Sequence, residues 1–572
     1  MHPLPGRNLL ASHGLPASMP SRLRLPARPR RLLAAGLACL TCALGLPAAA
    51  QADKSMEATV QDDNLLIFNT PEGRAQALDR LAGLGVDRLR ISVFWQTVAP
   101  QPDSQQRPAG FNAADPNAYP PGAWDRYDQI VRLARQRGMD VNFNITSPAP
   151  KWATADPERE DIDKTHEPSP GEFQAFVHAV GLRYNGGFAD AAGNTVPRVA
   201  FWSIWNEPNQ AGWLTPQWRP DPRGGRGARF VEAAPALYRS LVDAGWNGLQ
   251  ASTHGRDTIL IGDTAPKGLG NRKGSTRSMD VLRFLRAVYC LDANGRIYRG
   301  GTATARGCPA NPDREAFRAA HPGLFQASGW AHHPYELNFA PRRRPASDEW
   351  VTTANLNDLQ SELRRAYQRY GASFPSRDGI PVFLTEFGYQ TDPPDPVGVS
   401  NARQAEYINE AEYIAWSKPY VRGFAQFLLV DDKPLPGVDT DTAKAWGKTF
   451  QSGLMTLEGE EKPAYDAYRV GFHLSDDRVD RGDKVSVWGI ARPETRGVVP
   501  IEVQFRTRSY RGNRTRYFKR ATGKAGGPRH YMRRRFTARR DGWIRLQWTD
   551  ASGRAFHSQT HYLEVDDGRG RD

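Results

Sequence analysis

Residues 199–209 read VAFWSIWNEPN, an apolar run that stops abruptly at a polar turn. Residues 381–388 read PVFLTEFG and have the same form, with a glutamate directly after the run. Short runs of aromatic and branched side chains are typical of strands buried on both faces. Such strands belong to parallel sheets whose faces are covered by helices. The two runs therefore favour an α/β fold.

Similar runs recur on both sides of this pair, and they alternate with amphipathic stretches. The predicted strands are 57–60, 88–93, 140–145, 199–205, 258–262, 329–333, 381–385 and 423–429. The predicted helices between them are 75–82, 124–137, 173–184, 234–244, 279–289, 356–370 and 402–416. Eight strands that alternate with helices predict a (β/α)8 TIM barrel. An open doubly wound sheet is the alternative, but no glycine-rich phosphate loop follows the first strand.

The pattern changes after residue 469. Residues 485–489, 501–505 and 543–548 alternate apolar and polar side chains with period two, between glycine-rich turns. This predicts a small all-β domain, an immunoglobulin-like antiparallel sandwich. The predicted organisation is a signal peptide at 1–52, the barrel at 53–469, a basic sandwich at 470–566 and a loose tail at 567–572.

The amino-terminal segment has the pattern of an export signal. A basic stretch precedes the apolar run LLAAGLACLTCALGL at 32–46, and the small residues PAAAQA follow at 47–52. This predicts a signal peptide cleaved after Ala50 or Ala52, and a secreted or cell-envelope protein. An uncleaved membrane anchor is the alternative, although the run is short and ends in proline. The mature chain would keep Cys290 and Cys308, which predict one disulfide in an exported protein.

Composition limits the class of protein, and charge points to the carboxyl-terminal domain. With 39% hydrophobic residues and a mean hydropathy of −0.61, the 572-residue chain is neither disordered nor a polytopic membrane protein. The net charge is +14, and residues 470–572 hold 23 Lys and Arg against 12 Asp and Glu. Basic residues cluster at 506–520 and 533–540, with tyrosines and a phenylalanine among them. On a two-stranded ribbon they would form a basic–aromatic face suited to a polyanionic cell-envelope glycan rather than to nucleic acid. The alternatives are an ordinary solvated strand face and a domain that only caps the barrel.

Two glutamates stand where barrel enzymes carry their chemistry, just after strands four and seven. Glu207 and Glu386 would lie at the carboxyl-terminal rim, where the loops after the strands form the active site. Burying a glutamate beside a strand costs free energy unless its carboxylate has a catalytic role or a binding partner. A salt bridge or a helix cap would explain a single glutamate at such a position. Two carboxylates that face one cleft are the equipment of glycoside hydrolysis, one as general acid and one as nucleophile.

The motifs around these glutamates resemble those of a known group of enzymes. Asn-Glu-Pro at 206–208 and Thr-Glu-Phe-Gly at 385–388 look like the signatures of clan A glycoside hydrolases, in particular the cellulase-like and β-xylosidase-like families. The similarity covers residues 52–469. The resemblance implies hydrolysis of glycosidic bonds with retention of configuration. We expect the substrate to be a β-linked polysaccharide or oligosaccharide, and the protein to be a monomer without a cofactor or metal.

The clan's residue roles carry over to matching positions of this chain. Glu207 resembles the acid/base and Glu386 the nucleophile, and Asn206 matches the residue that hydrogen-bonds the sugar 2-OH. His-Pro-Tyr at 333–335 matches the clan motif in which the tyrosine, here Tyr335, holds the nucleophile and the histidine, here His333, lines the site.

The resemblance also implies a positively charged residue in the site, and the sequence departs from the clan's pattern at one position. Arg90 on strand two matches an arginine that supports the nucleophile, and its charge should keep Glu386 ionised. Many members carry a substrate-stacking tryptophan at the end of strand eight, where this chain has Gln426 and Phe427; Trp446 could reach in from the next loop.

Several tryptophans lie near the loops expected on the active face. Trp152 is the main candidate for stacking on a sugar, and ordinary packing is the alternative. The other candidates are Trp95, Trp213, Trp218 and Trp330.

Other functions remain open at this stage. His332 and His333 suggest a metal, but adjacent strand residues point to opposite faces, so we expect none. A catalytically silent carbohydrate-binding barrel is a second candidate, although it would not need both glutamates. A third is an envelope- or nucleic-acid-binding protein that uses the barrel as a scaffold.

Overall fold

The computed structural model describes residues 55–155, 160–224, 229–507 and 516–566. The predicted signal peptide and the tail at 567–572 lie outside these residues. Within them, no helix combines the length and the apolar character that a membrane span requires.

Eight parallel strands form a closed barrel, as predicted. In chain order they are β1 (Glu57–Gln61), β2 (Arg88–Phe94), β3 (Asp140–Thr146), β4 (Phe201–Ile204), β5 (Thr258–Thr264), β6 (Gly329–His332), β7 (Val382–Leu384) and β8 (Val421–Phe427). Each strand pairs with the next, and β1 pairs with both β2 and β8, which closes the ring. All eight carboxyl ends therefore meet at one rim.

Helices surround the barrel, and five of those that the structure describes begin at a residue whose side chain caps the first turn. The hydroxyl of Thr70 accepts a hydrogen bond from the backbone of Gly73, at the start of a helix that has proline in its first turn. The helices are Asp63–Leu66, Pro71–Gly83, Trp95–Val98, Asp125–Gln136, Pro170–Arg183, Ala234–Ala251, Val281–Val288, Gly300–Thr304, Arg314–Ala320, Pro322–Gln326, Leu356–Tyr370, Asn401–Trp416 and Pro463–Arg469. Short 3-10 helices span Pro116–Ala118, Lys151–Ala153, Glu160–Ile162, Thr353–Asn355 and Ala443–Ala445.

One helix is longer than its sequence predicts. The expected end at residue 244 came just before Gly245, but the helix continues to Ala251. A β-carbon at Gly245 would lie 2.8 Å from the side chain of Ile204, and one at Gly248 would lie 2.8 Å from the carbonyl oxygen of Gln174. These glycines therefore permit close packing and do not end the helix.

The carboxyl-terminal region is rich in strands and forms two main sheets. Its strands are β9 (Phe472–Leu474), β10 (Arg478–Asp480), β11 (Lys484–Ile490), β12 (Val499–Thr507), β13 (Phe518–Ala525), β14 (Tyr531–Thr537), β15 (Gly542–Thr549), β16 (Ala555–His557) and β17 (His561–Asp566). One sheet has the order β9-β11-β14, and the other has the order β10-β17-β15-β12-β13, with β16 beside β15. A common apolar core joins the two sheets into a sandwich. Its pairs are antiparallel except β10 with β17, which the sequence pattern did not predict.

The sandwich packs on the end of the barrel at which the strands begin. Arg492 forms an ion pair with Glu412, which also accepts a hydrogen bond from the hydroxyl of Tyr531 at 3.2 Å. Arg529 bridges Glu57 and Asp87, at the start of β1 and just before β2. The active rim at the opposite end is left open to its loops.

The loops carry the predicted disulfide and two small ribbons. Cys290 and Cys308 are bonded to each other, as expected. The ribbons pair Trp218–Pro220 with Phe230–Glu232, and Thr391–Asp392 with Val399–Ser400.

Candidate active site

The barrel brings Glu207 and Glu386 together at its carboxyl-terminal rim. Glu207 follows β4 and Glu386 follows β7, each a few residues beyond the strand. One carboxylate oxygen of each, together with a ring nitrogen of His333, lies within 4.8 Å of the others. The two carboxylates therefore face one shared space.

His333 joins the two glutamates to a third carboxylate. Its Nδ1 lies 2.9 Å from Oε1 of Glu207 and 3.5 Å from Oε2 of Glu386. Its Nε2 lies 3.3 Å from Oδ1 of Asp263. A fully buried imidazole thus has a carboxylate on each ring nitrogen.

Both oxygens of Glu386 accept hydrogen bonds. Arg90 donates from Nη1 to Oε1 at 2.7 Å, and Tyr335 donates from its hydroxyl to Oε2 at 3.1 Å. Arg90 also donates from Nη2 to Oδ1 of Asn206 at 2.6 Å. Since both contacts come from donors, they favour the ionised form of Glu386.

The environment acts on the pKa of Glu386 in opposite directions. Burial raises it above the ordinary value, while the positive charges of His333 and Arg90 lower it and the charge of Glu207 raises it. Arg90 thus acts in the direction that the sequence predicted, but burial has the larger effect. Burial also raises the pKa of Tyr335 well above the usual range, so its hydroxyl keeps the proton that it donates.

Asp263 belongs to the same cluster, and the sequence analysis missed it. Its Oδ1 accepts a hydrogen bond from the hydroxyl of Thr385 at 2.6 Å and lies 3.2 Å from Nη2 of Arg90. Its Oδ2 accepts from Nδ2 of Asn144 at 3.0 Å. Asp263 lies directly after the predicted end of strand five, so the strand-end rule that predicts Glu207 applies to it as well.

Asp263 carries a permanent charge, and His333 is positively charged at neutral pH. Burial would raise the pKa of Asp263, but Arg90 and His333 lower it to about 2. Burial would lower the pKa of His333, but the surrounding carboxylates, Glu386 foremost, raise it to about 9. The neighbouring His332 behaves differently, because burial lowers its pKa to about 3 and it contacts Thr264 and the carbonyl of Val351 instead. The two histidines face different surroundings, as the strand geometry predicted.

The backbone is strained where the cluster is attached. Trp205, Glu207 and Asp263 have positive φ angles of 70°, 38° and 41°. Such conformations cost a non-glycine residue about 1–3 kcal/mol each and persist only where the surroundings hold them. The backbone N–H of Glu207 donates to the carbonyl of Asp263 at 2.9 Å, which ties the two strained residues together.

The three closest groups could also offer ligands to a metal ion. Glu207, His333 and Glu386 supply one nitrogen and two oxygens. A metal would need the neutral imidazole, whereas the pKa of His333 is about 9, and Arg90 already neutralises Glu386. The three groups therefore favour a protonated His333 over a bound metal ion.

Trp152 is buried among other aromatic rings. Only 8% of its surface is exposed, its Nε1 donates to the carbonyl of Pro100, and its ring packs edge-on against Trp95 and Phe111. Three of the other candidate tryptophans are likewise almost fully buried, namely Trp95, Trp218 and Trp330. Trp213, in the loop after β4, stays partly exposed.

At the end of β8, Phe427 rather than a tryptophan borders the cluster. Its ring packs edge-on against Tyr335, with centroids 6.4 Å apart, and against the half-exposed Phe450. Gln426 is buried and donates to the carbonyl of Ser452, and Trp446 is also buried. Phe427 is thus the aromatic ring at the position where the resemblance implied a tryptophan.

Comparison with known proteins gives distant structural likenesses only. No protein-family model and no curated protein matches the sequence. A β-glucuronidase from Bacteroides uniformis aligns at 10% identity with a TM-score of 0.40, over 89% of this chain and 46% of its own length. A GH5_18 protein from Streptomyces cattleya in complex with GlcNAc aligns at 17% identity with a TM-score of 0.40, over 73% of this chain and 79% of that one.

A third match is the virulence factor SghA from Agrobacterium tumefaciens. It aligns at 15% identity with a TM-score of 0.42, over 71% of this chain and 93% of that one. This chain thus spans less than half the length of the β-glucuronidase. At these identities and TM-scores the likeness does not decide which reaction the chain catalyses.

Proposed function

We propose that the protein is an exported, retaining glycosidase that hydrolyses β-linked bonds of a polysaccharide or oligosaccharide by double displacement. The observation that carries the proposal is the pair Glu207 and Glu386, with one oxygen of each within 4.8 Å. Retaining enzymes hold their two carboxyl groups about 5–5.5 Å apart, whereas inverting enzymes need about 6.5–9.5 Å to admit a water molecule.

In this proposal Glu386 is the nucleophile. Arg90 and Tyr335 fix both of its oxygens, so it is oriented before the sugar arrives. It attacks the anomeric carbon and forms a covalent glycosyl–enzyme intermediate, while the leaving oxygen takes a proton from the partner carboxyl group. Asn206, whose amide oxygen accepts from Arg90, keeps its NH2 group for a sugar hydroxyl.

Glu207 is the acid/base in this proposal, because the other glutamate is already held at both oxygens by Arg90 and Tyr335. The side chain of Glu207 is also more exposed than that of Glu386, at 19% against 10%, which lets it exchange protons with water. In the second step Glu207 removes a proton from the water that releases the sugar.

Substitution of the two glutamates tests the assignment on activated aryl glycosides. Glu386→Gln should abolish turnover. Glu207→Gln should slow substrates with poor leaving groups about 10²–10⁴-fold and those with good leaving groups far less. The control is Glu336→Gln, which removes a buried carboxylate that pairs with Lys267 and touches neither catalytic glutamate.

The anomer released first gives an independent measurement. Its configuration, followed by NMR, should match that of the substrate. Inverted product, or turnover by both variants equal to wild type, would contradict the proposal. Sugar binding by a wild-type chain that hydrolyses no glycoside would favour the silent carbohydrate-binding barrel.

A further inference from the structure

The outer face of the larger sheet in the sandwich carries arginines and aromatic rings in register. Along β12 and β15 the apolar side chains point into the core, and the side chains between them point outward. Arg506 stands opposite Trp543, and Gln504 stands opposite Arg545. Trp543 in turn stands opposite Tyr562 of β17. Since neighbouring strands lie about 4.8 Å apart, the row from Tyr562 to Arg506 spans about 10 Å.

The two arginines of this face lie against rings rather than against carboxylates. The guanidinium carbon of Arg506 lies 4.6 Å from the ring centre of Trp543 and 5.0 Å from that of Tyr517. That of Arg545 lies 4.0 Å from the ring centre of Tyr517. In the part of the chain that the structure describes, neither arginine forms an ion pair, and the buried Nε of Arg506 has no hydrogen-bond partner. Two positive charges therefore flank one tyrosine, and no acid among the described residues pairs with either of them.

Amide and imidazole groups complete the face. Gln504 accepts a hydrogen bond from Nε of Arg545 at 2.9 Å and donates to Oε1 of Gln547 at 2.6 Å. Nε2 of His557 lies 3.1 Å from the same oxygen of Gln547. Such groups suit sugar hydroxyls, which both donate and accept.

We propose that this face, defined by Arg506, Tyr517, Trp543, Arg545 and Tyr562, binds an acidic polysaccharide whose sugars bear carboxylates. The planar guanidinium fork matches a carboxylate with two parallel hydrogen bonds. The rings are amphipathic and can cover the apolar face of a sugar. The binding is independent of the proposed catalysis, because the face belongs to the sandwich and the glutamate pair belongs to the barrel rim.

A nucleic acid fits this surface less well. Glu502, next in the outward row of β12, lies directly opposite Gln547 and only 3.0 Å from the ammonium group of Lys519. A duplex carries one negative charge per about 1.7 Å of its axis and needs a continuous run of cations. Because Glu502 and Lys519 neutralise each other, the cations of this face do not form such a run, whereas a polysaccharide with spaced charges needs only separate cations.

Calorimetric titration of the full chain with polygalacturonate tests the proposal. Arg506→Gln and Arg545→Gln should each weaken binding about 10-fold, since each removes a charge-assisted bidentate contact. Arg545→Lys keeps the charge but not the fork and should also weaken binding. The matched control is Arg534→Gln, which makes the same charge change at an exposed position of β14 in the other sheet and should bind as wild type.

Several outcomes would overturn the proposal. These are no binding of polygalacturonate by wild type, equal binding of the neutral polymer dextran, equal weakening by Arg534→Gln, and tighter binding of duplex DNA. Thermal unfolding of each variant checks that it is folded. Turnover of an aryl glycoside should be the same for all four variants, so a failure of the catalytic proposal would be seen separately.

Discussion

Replacing Asp263 with asparagine should change the pH dependence of catalysis more than it changes the shape of the site. The substitution keeps the size of the side chain but removes the negative charge that lies 3.3 Å from His333 and 3.2 Å from Arg90. At 3.3 Å and an effective dielectric constant of about 20, the attraction to His333 is about 5 kcal/mol. This equals between about three and four pKa units. Because the amide oxygen of the new asparagine can still accept a hydrogen bond from Nε2, part of this attraction is kept, and we expect the pKa of His333 to fall by about two units from its value of about 9.

The loss of that proton matters because it reverses one hydrogen bond. As an imidazolium, His333 donates from Nδ1 to Glu207 and from Nε2 to Asp263. When neutral, it keeps the proton on Nε2, and Nδ1 becomes an acceptor that competes with the leaving group for the proton of Glu207. The alkaline limb of kcat/KM should therefore follow the pKa of His333.

The assay is kcat/KM for an aryl glycoside between pH 5 and 10. The limb should lie near pH 9 in wild type and about two pH units lower in Asp263→Asn. The control is Thr385→Val, which removes a hydrogen bond to the same carboxylate but leaves its charge. An alkaline limb that does not move in Asp263→Asn would refute this reasoning.

Stability should show the same titration. The folded pKa of His333 is raised from 6.5 to about 9, so its contribution is complete below pH 6.5 and disappears as the pH rises through 9. A shift of this size corresponds to about 3 kcal/mol. The melting temperature of wild type should thus fall between pH 7 and pH 10, and it should fall less in Asp263→Asn.

Two further predictions concern the frame of the molecule. Reducing the Cys290–Cys308 bond, or replacing both cysteines with serine, should lower the free energy of unfolding by about 3 kcal/mol. Thermal unfolding with and without reductant measures this loss, and an unchanged melting temperature would contradict the prediction. Arg492→Met should lower the free energy of unfolding by about 3–5 kcal/mol, because it leaves Glu412 buried without a cation. In denaturant unfolding, the double variant that also carries Glu412→Gln should recover much of this loss. No recovery in the double variant would show that the buried charge is not the cause.

The sequence predicts the barrel well because its strands are short apolar runs with clear ends. All eight predicted strands are present, and their bounds differ from the structure by two residues or fewer. The rule that places chemistry at strand ends also brings Glu207, Glu386 and His333 into one cluster. Local pattern fails where packing decides the outcome, as at Gly245, which sits inside a helix because it lies against Ile204.

Side-chain partners are harder to predict because they depend on residues far apart in the chain. Trp152 is in the expected loop, but its ring turns into an aromatic cluster that includes Trp95. The basic residues were expected on one ribbon, yet Arg506 and Arg534 lie in different sheets, because β12 pairs with β13 and β15 while β14 pairs with β11. Arg545 lies outside the basic clusters of the sequence at 506–520 and 533–540, yet it is the arginine that shares a sheet face with Arg506.

The position of β1 has a consequence for synthesis. Its neighbours are β2 on one side and β8 on the other. Its first residue, Glu57, pairs with Arg529, and the carbonyl of Met56 just before it accepts a hydrogen bond from the hydroxyl of Tyr531. At 5–20 residues per second, a ribosome needs about 20–70 seconds between making β1 and making β8. During that time one edge of β1 has no strand to pair with, and exposed edges recruit other chains. Until β8 is made, that edge of β1 is therefore open to pairing with a strand of another chain.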